Sequence, residues 1–257
     1  MTAGAVLLEA KDLAQHFGGL KAIDQVNLTL REGEIVSVIG PNGAGKTTFF
    51  NVMTGVYPGT RGSIEFQGRK INGLACHEIT ALGIARTFQN IRLFHNMTAL
   101  ENVMVGRHCR SYQRILGPLL RLPAFRQEEA DIETAAKELL GFVGMLSSGN
   151  ILAKNLSYGN QRRLEIARAL ATEPKLLILD EPTAGMNPTA SQDLVALVRR
   201  IQARGVTVLL IEHQMRVVMD ISDRVVVFDY GVKIAEGTPK EVVADARVIE
   251  AYLGKGA

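Results

Sequence analysis

The sequence predicts an α/β fold built on a largely parallel sheet, and three observations carry that prediction. Apolar runs of strand length recur at Leu176–Leu179, Val206–Ile211 and Arg224–Phe228. Helix-period segments, Gln161–Ala171 and Ala190–Ala203, alternate with them in the second half, as a parallel sheet requires. A glycine-rich loop, Gly40 to Thr47, joins the strand-like run Glu34–Ile39 to a helix that starts near Gly45.

Taken in chain order, the first elements look different from the later ones. The runs Val26–Leu30, Glu34–Ile39 and Ser63–Phe66 follow one another closely, with turn signals at Arg31-Glu32-Gly33 and Gln67-Gly68. That spacing suggests an antiparallel sheet beside the parallel one. Ile84–Phe88 reads as a further strand. From about Asn90 to Ala153 the strand signal vanishes and helix-period patterns replace it, most clearly over Glu128–Phe142. The chain is therefore expected to be one domain over 1–257, with about 1–89 and 154–257 forming the α/β core and about 90–153 an inserted helical lobe. Within that lobe, Gly106–Arg126 mixes five arginines with apolar residues. It reads either as a solvated basic face or as a docking patch for a partner near a membrane.

Composition narrows the partners. A formal net charge of +3, with both signs interspersed over 257 residues, gives no basic face that would argue for nucleic acid. Cys76 and Cys109 are too few for a disulfide framework and too far apart for a metal-ligand pair, so they read as the reduced thiols of a cytosolic protein. No secretory signal is expected at the N-terminus, and no apolar run approaches the ~20 residues that cross a bilayer. A membrane role would come through a partner.

The loop Gly40-Pro41-Asn42-Gly43-Ala44-Gly45-Lys46-Thr47 fits the G-x-x-x-x-G-K-[ST] pattern with the required strand before it and helix after it. Glycines let successive backbone N–H groups curl around phosphate oxygens, and the helix N-terminus adds a favourable dipole. Lys46 reaches the β- and γ-phosphates of ATP, and the Thr47 hydroxyl suits Mg²⁺. Leu176-Leu-Ile-Leu-Asp180-Glu181-Pro182 is an apolar strand ending in two carboxylates, where open α/β sheets place their ligands. Asp180 suits the Mg²⁺ shell, and Glu181 suits a base that activates the attacking water. His213, just past the strand Val206–Glu212, brings an imidazole to the same edge of the sheet and can sense the γ-phosphate. Gln89 offers an amide for Mg²⁺ or water. Ser157 is a natural N-cap and Gly159 permits close backbone approach, making a second helix start able to receive an anion. Two such helix starts but a single lysine-bearing loop suggest a dimer that sandwiches nucleotide.

In this order, GPNGAGKTT (Gly40 to Thr48), Gln89, LSYGN (Leu156 to Asn160), LLILDEP (Leu176 to Pro182) and His213 resemble the ATPase subunits of ABC transporters. The resemblance implies a P-loop NTPase fold with a RecA-like parallel core, an N-terminal antiparallel β subdomain and an inserted helical subdomain. It implies Phe17 as the aromatic stacked on adenine, Thr48 with the rest of the loop on phosphate, and Gln89 as the link to the membrane partner. Ser157 and Gly159 become the signature residues that complete a second chain's site, Glu181 the catalytic base and His213 the switch residue. The stretches HFGGLKAID (His16 to Asp24), TFQNIRLFHNMTALENVMVG (Thr87 to Gly106), LSYGNQRRLEIARAL (Leu156 to Leu170) and EAYLG (Glu250 to Gly254) look like the branched-chain amino acid importer ATPases, the longer of their two subunit types. Such systems imply a second ATPase subunit, two integral membrane permease subunits and an extracytoplasmic binding protein. They imply a peripheral location on the cytoplasmic face of the inner membrane. Three positions depart from the broad pattern: Tyr158 stands where glycine is usual, Asn160 where glutamine is usual, and Asn187 where many members have aspartate.

Two rivals stay open at this level. The motifs also resemble those of lipid or lipopolysaccharide export ATPases, against which the helical insert argues. A non-transport ABC ATPase is the other, although such relatives usually carry two motif sets or a long coiled coil, and this chain shows one set and no sustained heptads.

Overall fold

The computed structural model describes residues 4–110 and 123–253. The chain divides into two compact units, Met1–Ile79 with Ile178–Ala257 and Thr80–Leu177.

The first unit contains two sheets. One is antiparallel and four-stranded, in the order β2-β1-β4-β5, formed by β1 (Val6–Phe17), β2 (Leu20–Arg31), β4 (Arg61–Phe66) and β5 (Arg69–Lys70). Gln67 and Gly68 both take positive φ, 50° and 73°, the geometry that lets a two-residue turn match the twist of its flanking strands. The other has the consecutive order β10-β9-β3-β8-β7, from β3 (Ile35–Ile39), β7 (Leu176–Asp180), β8 (Thr207–Ile211), β9 (Arg224–Asp229) and β10 (Val232–Gly237). Here β3 runs parallel to both β8 and β9, with Val38 opposite Ile211 on one side and Val226 on the other. Every residue of β3, β7 and β8 is buried, as expected of parallel strands covered on both faces. The boundary between the units falls inside β7.

The helices of this unit are α1 (Lys46–Met53), most of α2 (Cys76–Leu82), and four more that, in chain order after those of the second unit, are α6 (Pro188–Gln202), α7 (Met215–Ile221), α8 (Pro239–Ala244) and α9 (Ala246–Leu253). Asn187 caps α6, its side chain accepting from the Ala190 amide at 2.8 Å. Ile39, Val218, Val225, Val227, Val242 and Val248 form one apolar cluster, so α7, α8 and α9 brace the strand that leads into the glycine-rich loop.

In the second unit, β6 (Ile84–Arg86) precedes α3 (Ala99–Arg107), α4 (Pro123–Phe142) and α5 (Tyr158–Leu170). A capping box joins Thr98 and Glu101 at the start of α3. The buried Asn102 amide holds the preceding loop, donating to the Phe94 carbonyl and accepting from its amide at 2.9 Å. The basic stretch Gly106–Arg126 falls largely outside the described residues.

Three strands go beyond the sequence expectation, β1, β10 and the two-residue β5. β1 carries Glu9, Lys11 and Asp12 on its exposed face and is broken by register shifts around Asp12, whose φ is 46°, so no clean alternation appears. β10 is an edge strand that buries only Ala235, leaving little apolar pattern to read. Among the described residues no helix is long and apolar enough to cross a membrane, and Cys76 and Cys109 are both exposed free thiols.

Candidate functional site

The glycine-rich loop leaves β3 at Gly40 and enters α1 at Lys46, and its shape is enforced by what surrounds it. A Cβ on Gly40 would lie 2.1 Å from the Phe228 carbonyl oxygen, and one on Gly45 would lie 2.4 Å from that of Ala22. Both residues have positive φ, 149° and 92°, which favours glycine. Three backbone segments converge here: the Asp24 amide donates to the Gly231 carbonyl at 2.8 Å and the Gly231 amide to the Ala44 carbonyl at 3.2 Å. A Cβ on Gly231 would itself meet the Ala22 carbonyl at 2.8 Å. At the crest, Asn42 and Gly43 are exposed, and nothing lies within 4 Å of where a Gly43 Cβ would stand. A bare crest with open space beside it fits the phosphates of a nucleotide, which need close approach to backbone N–H groups.

Lys46 is 6 % exposed, and its Nζ donates to the carbonyls of Gly40 and Pro41 at 2.7 and 2.8 Å. An ammonium has three N–H groups, enough to hold the loop and reach a phosphate. Burial pushes the Lys46 ammonium below its ordinary value, and the carboxylates of Glu181 and Asp180 act in the opposite direction. Thr47 is exposed, Thr48 half-buried and Asp180 buried, so a hydroxyl and a carboxylate, hard oxygen donors suited to Mg²⁺, belong to the same unit.

Glu181 holds φ at 46°, and its amide donates to the Ile211 carbonyl on β8 at 3.0 Å. A non-glycine residue in the left-handed region stores strain that its surroundings must hold. The Glu181 Oε1 lies 2.6 Å from the His213 Nε2. Sequence reading missed the residue that ties these two together. Glu212 is 2 % exposed; one carboxylate oxygen accepts from the amide and hydroxyl of Thr183, and the other from the amides of His213 and Gln214, the first of these at 3.1 Å. Only its place at the end of an apolar strand marks it in the sequence.

Phe17 closes β1 with its ring 43 % exposed, and the Tyr57 ring meets its edge with centroids 5.2 Å apart and planes at 78°. That leaves an aromatic face for a flat ligand, braced from one side.

Gln89, Ser157 and Gly159 belong to the second unit. Gln89 is exposed. Ser157 caps α5, its hydroxyl accepting from the Asn160 amide at 3.4 Å. A Cβ on Gly159 would meet nothing within 4 Å, so the helix start is open to a ligand. Gln161 fastens the approach to it, donating to the carbonyls of Ala153 and Leu156. Asn160 joins the cap through its backbone, a contact that does not depend on its side chain.

A phosphate-cradling loop, a lysine, paired acids at a strand end and a histidine on one of them define a P-loop nucleoside triphosphatase. The chain belongs to the ABC transporter family, whose profile matches residues 23–184, and it is an ATPase. A second profile, the branched-chain amino acid ATP-binding cassette transporter, matches residues 232–257. The chain is similar to the high-affinity branched-chain amino acid transport ATP-binding protein BraF of Pseudomonas aeruginosa, at 48% identity over 97% of this chain and 98% of that one. Among solved structures it is similar to an ATP-binding cassette of an ABC transporter in its ADP conformation, with a TM-score of 0.85 and 34% identity over 98% of this chain and 100% of that one. It is also similar to a dimeric cassette in a post-hydrolysis state bound to ADP and Pi, with a TM-score of 0.76 and 26% identity over 91% and 99% of the two chains.

Proposed function

We propose that this chain is the subunit whose ATP hydrolysis drives uptake of branched-chain amino acids, leucine, isoleucine and valine, from the cytoplasmic face of the membrane. The observation that carries the chemistry is the 2.6 Å contact of His213 Nε2 with Glu181 Oε1 at the end of β7, in the same unit as the glycine-rich loop that Lys46 fastens from within. The relative's transport role and the match over 232–257 support the substrate class. The dimeric relative supports a second ATPase subunit as partner. Two integral membrane permeases and an extracytoplasmic binding protein complete the proposed system, with residues of about 90–153 as its helical subdomain. A groove of about 330 Å³ in the second unit, with Arg86, Phe94 and Arg168 on its walls, is the surface we assign to a permease.

Each residue then has a task. Phe17 stacks on adenine, and the backbone from Gly40 through Thr48, with Lys46, holds the phosphates. Thr47, Asp180 and Gln89 are the side chains we assign to Mg²⁺, which when bound neutralises charge on the β- and γ-phosphates. Glu181 accepts a proton from water as its oxygen bonds to the γ-phosphorus and the bond to the β,γ-bridging oxygen breaks, the leaving electron pair departing with ADP. His213 holds the Glu181 carboxylate and faces the γ-phosphate. Ser157 and Gly159 complete the site of the partner subunit.

The test is labelled leucine uptake by cells lacking this chain, restored by the wild type or by Glu181→Gln. Restoration by the wild type alone supports the reading. Uptake that never fell would remove the substrate assignment, and full rescue by Glu181→Gln would remove the catalytic one.

A further inference from the structure

The second unit holds a buried ion pair that the proposed chemistry does not use. Arg162 and Glu165, one turn apart on α5, have side chains 0% and 2% exposed, with Nη1 to Oε2 at 2.8 Å. A buried pair is weak grounds for stability, because apolar residues of similar volume often serve as well. What this one holds is more informative. Arg162 Nη1 also donates to the Phe88 carbonyl at 2.7 Å, and Nη2 donates to the Gln89 carbonyl at 2.9 Å. The free oxygen of Glu165 accepts from the amides of Phe88 and Arg92, each at 3.4 Å. The backbone on either side of Gln89 is therefore fastened to α5, the helix that Ser157 caps. Tyr158, the residue that stands where glycine is usual in the family, joins in: its hydroxyl accepts from Arg162 Nη2 at 3.4 Å. Burial pushes the Glu165 carboxyl up, and Arg162 together with the Arg92 and Phe88 amides opposes the shift.

We propose that Arg162 and Glu165 are positioning residues that make the Gln89 loop follow the Ser157–Gly159 helix start, and so couple the two nucleotide sites of the working dimer. The inference rests on the reading that Ser157 and Gly159 engage the partner's nucleotide while Gln89 serves this chain's own. A nucleotide that pulls on the helix start then shifts the loop of the opposite site, without any direct contact between the two nucleotides. Cooperative turnover follows, because each site's loop is set by occupancy of the other.

The experiment measures ATP turnover against ATP concentration for the chain in its assembled transporter. The variants are Arg162→Met/Glu165→Leu, which keeps the volume and removes both charges, and Arg162→Lys, which keeps a charge but cannot span two carbonyls. Wild type is expected to give a Hill coefficient above 1, and both variants one of about 1, with maximal turnover within about tenfold of wild type. A folded variant with wild-type cooperativity overturns the proposal, as does hyperbolic turnover by the wild type. If the double variant fails to fold, Arg162→Lys decides alone. Lys46→Ala separates the two readings: retained turnover there removes the nucleotide assignment, whereas its loss alongside unchanged cooperativity in the Arg162 variants removes only the coupling.

Discussion

The Nε2 of His213 lies 2.6 Å from the Oε1 of Glu181, and Glu212 holds the backbone on both sides of that contact. Glu181, the proposed base, and His213 come from the ends of two neighbouring strands, β7 and β8, so their spacing is set by the sheet. A carboxylate oriented in this way needs little reorganisation when it takes a proton.

Glu181→Gln keeps the shape of the side chain and removes the proposed base. Turnover should fall by about 10²–10⁴ while ATP stays bound. His213→Ala should lower kcat with little change in KM, because it releases the carboxylate without touching the loop. Steady-state kinetics and nucleotide binding on the purified variants separate the two effects, and unchanged kcat in Glu181→Gln would rule out its role as base.

Lys46 should make ATP binding pH-dependent. Its ammonium is pushed below the ordinary lysine value of about 10.4, and a phosphate beside it draws the proton back. Between the depressed value and the ordinary one, the free chain has released a proton that the complex regains, so binding takes up a proton and affinity falls as pH rises through that window. For folding the sign follows the same shift: the unfolded chain binds more protons in that window, so the cost of burying the ammonium is full at lower pH and is relieved as pH rises. Binding calorimetry at a pH just below the ordinary lysine value, in two buffers of different ionisation enthalpy, measures the uptake. Lys46→Arg, which stays protonated, should show none; equal enthalpies for the wild type in the two buffers would contradict the assignment.

Phe17→Ala should weaken ATP binding by about 1–3 kcal/mol, the usual worth of base stacking on an aromatic ring. Tyr57→Ala should cost less, since Tyr57 meets the edge of Phe17 and acts through it. Affinities for ATP and for inorganic triphosphate check the point: only ATP binding should respond.

Gly40→Ala and Gly43→Ala give a contrast within one loop. Gly43 has open space beside it, so alanine should cost only the strain of positive φ, about 1–2 kcal/mol. At Gly40 the new methyl meets the Phe228 carbonyl at 2.1 Å, so the loss should be larger and ATP binding should go with it. Urea unfolding of both variants measures the difference, and equal losses would count against the packing argument.

Much of this was legible from residue order. The strand at Leu176–Asp180 and the helices at Tyr158–Leu170 and Pro188–Gln202 lie within three residues of the expected runs, because burial on both faces or on one stripe imposes a clear period. The loop from Gly40 to Thr47 was legible because the positions its pattern fixes, Gly40, Gly45, Lys46 and Thr47, each have a geometric or chemical reason. β1 and β10 were not, since one is bulged and the other lies at an edge, and both dilute the apolar pattern. Glu212 and the Arg162–Glu165 pair were hidden for another reason. Glu212 reaches back to Thr183 and the pair reaches the backbone at Phe88, Gln89 and Arg92, and a charged residue in a string of letters looks the same whether it faces water or holds a loop.

The convergence of Ala22, Gly45 and Gly231 has a consequence for building chimeras of this protein. Because a Cβ on Gly45 would lie 2.4 Å from the Ala22 carbonyl oxygen and 2.8 Å from the Ile23 side chain, a hairpin borrowed from a homologue fits only if positions 22 and 23 arrive on the same path. The first antiparallel hairpin, the glycine-rich loop and the Tyr230–Gly231 turn should therefore be exchanged as a set.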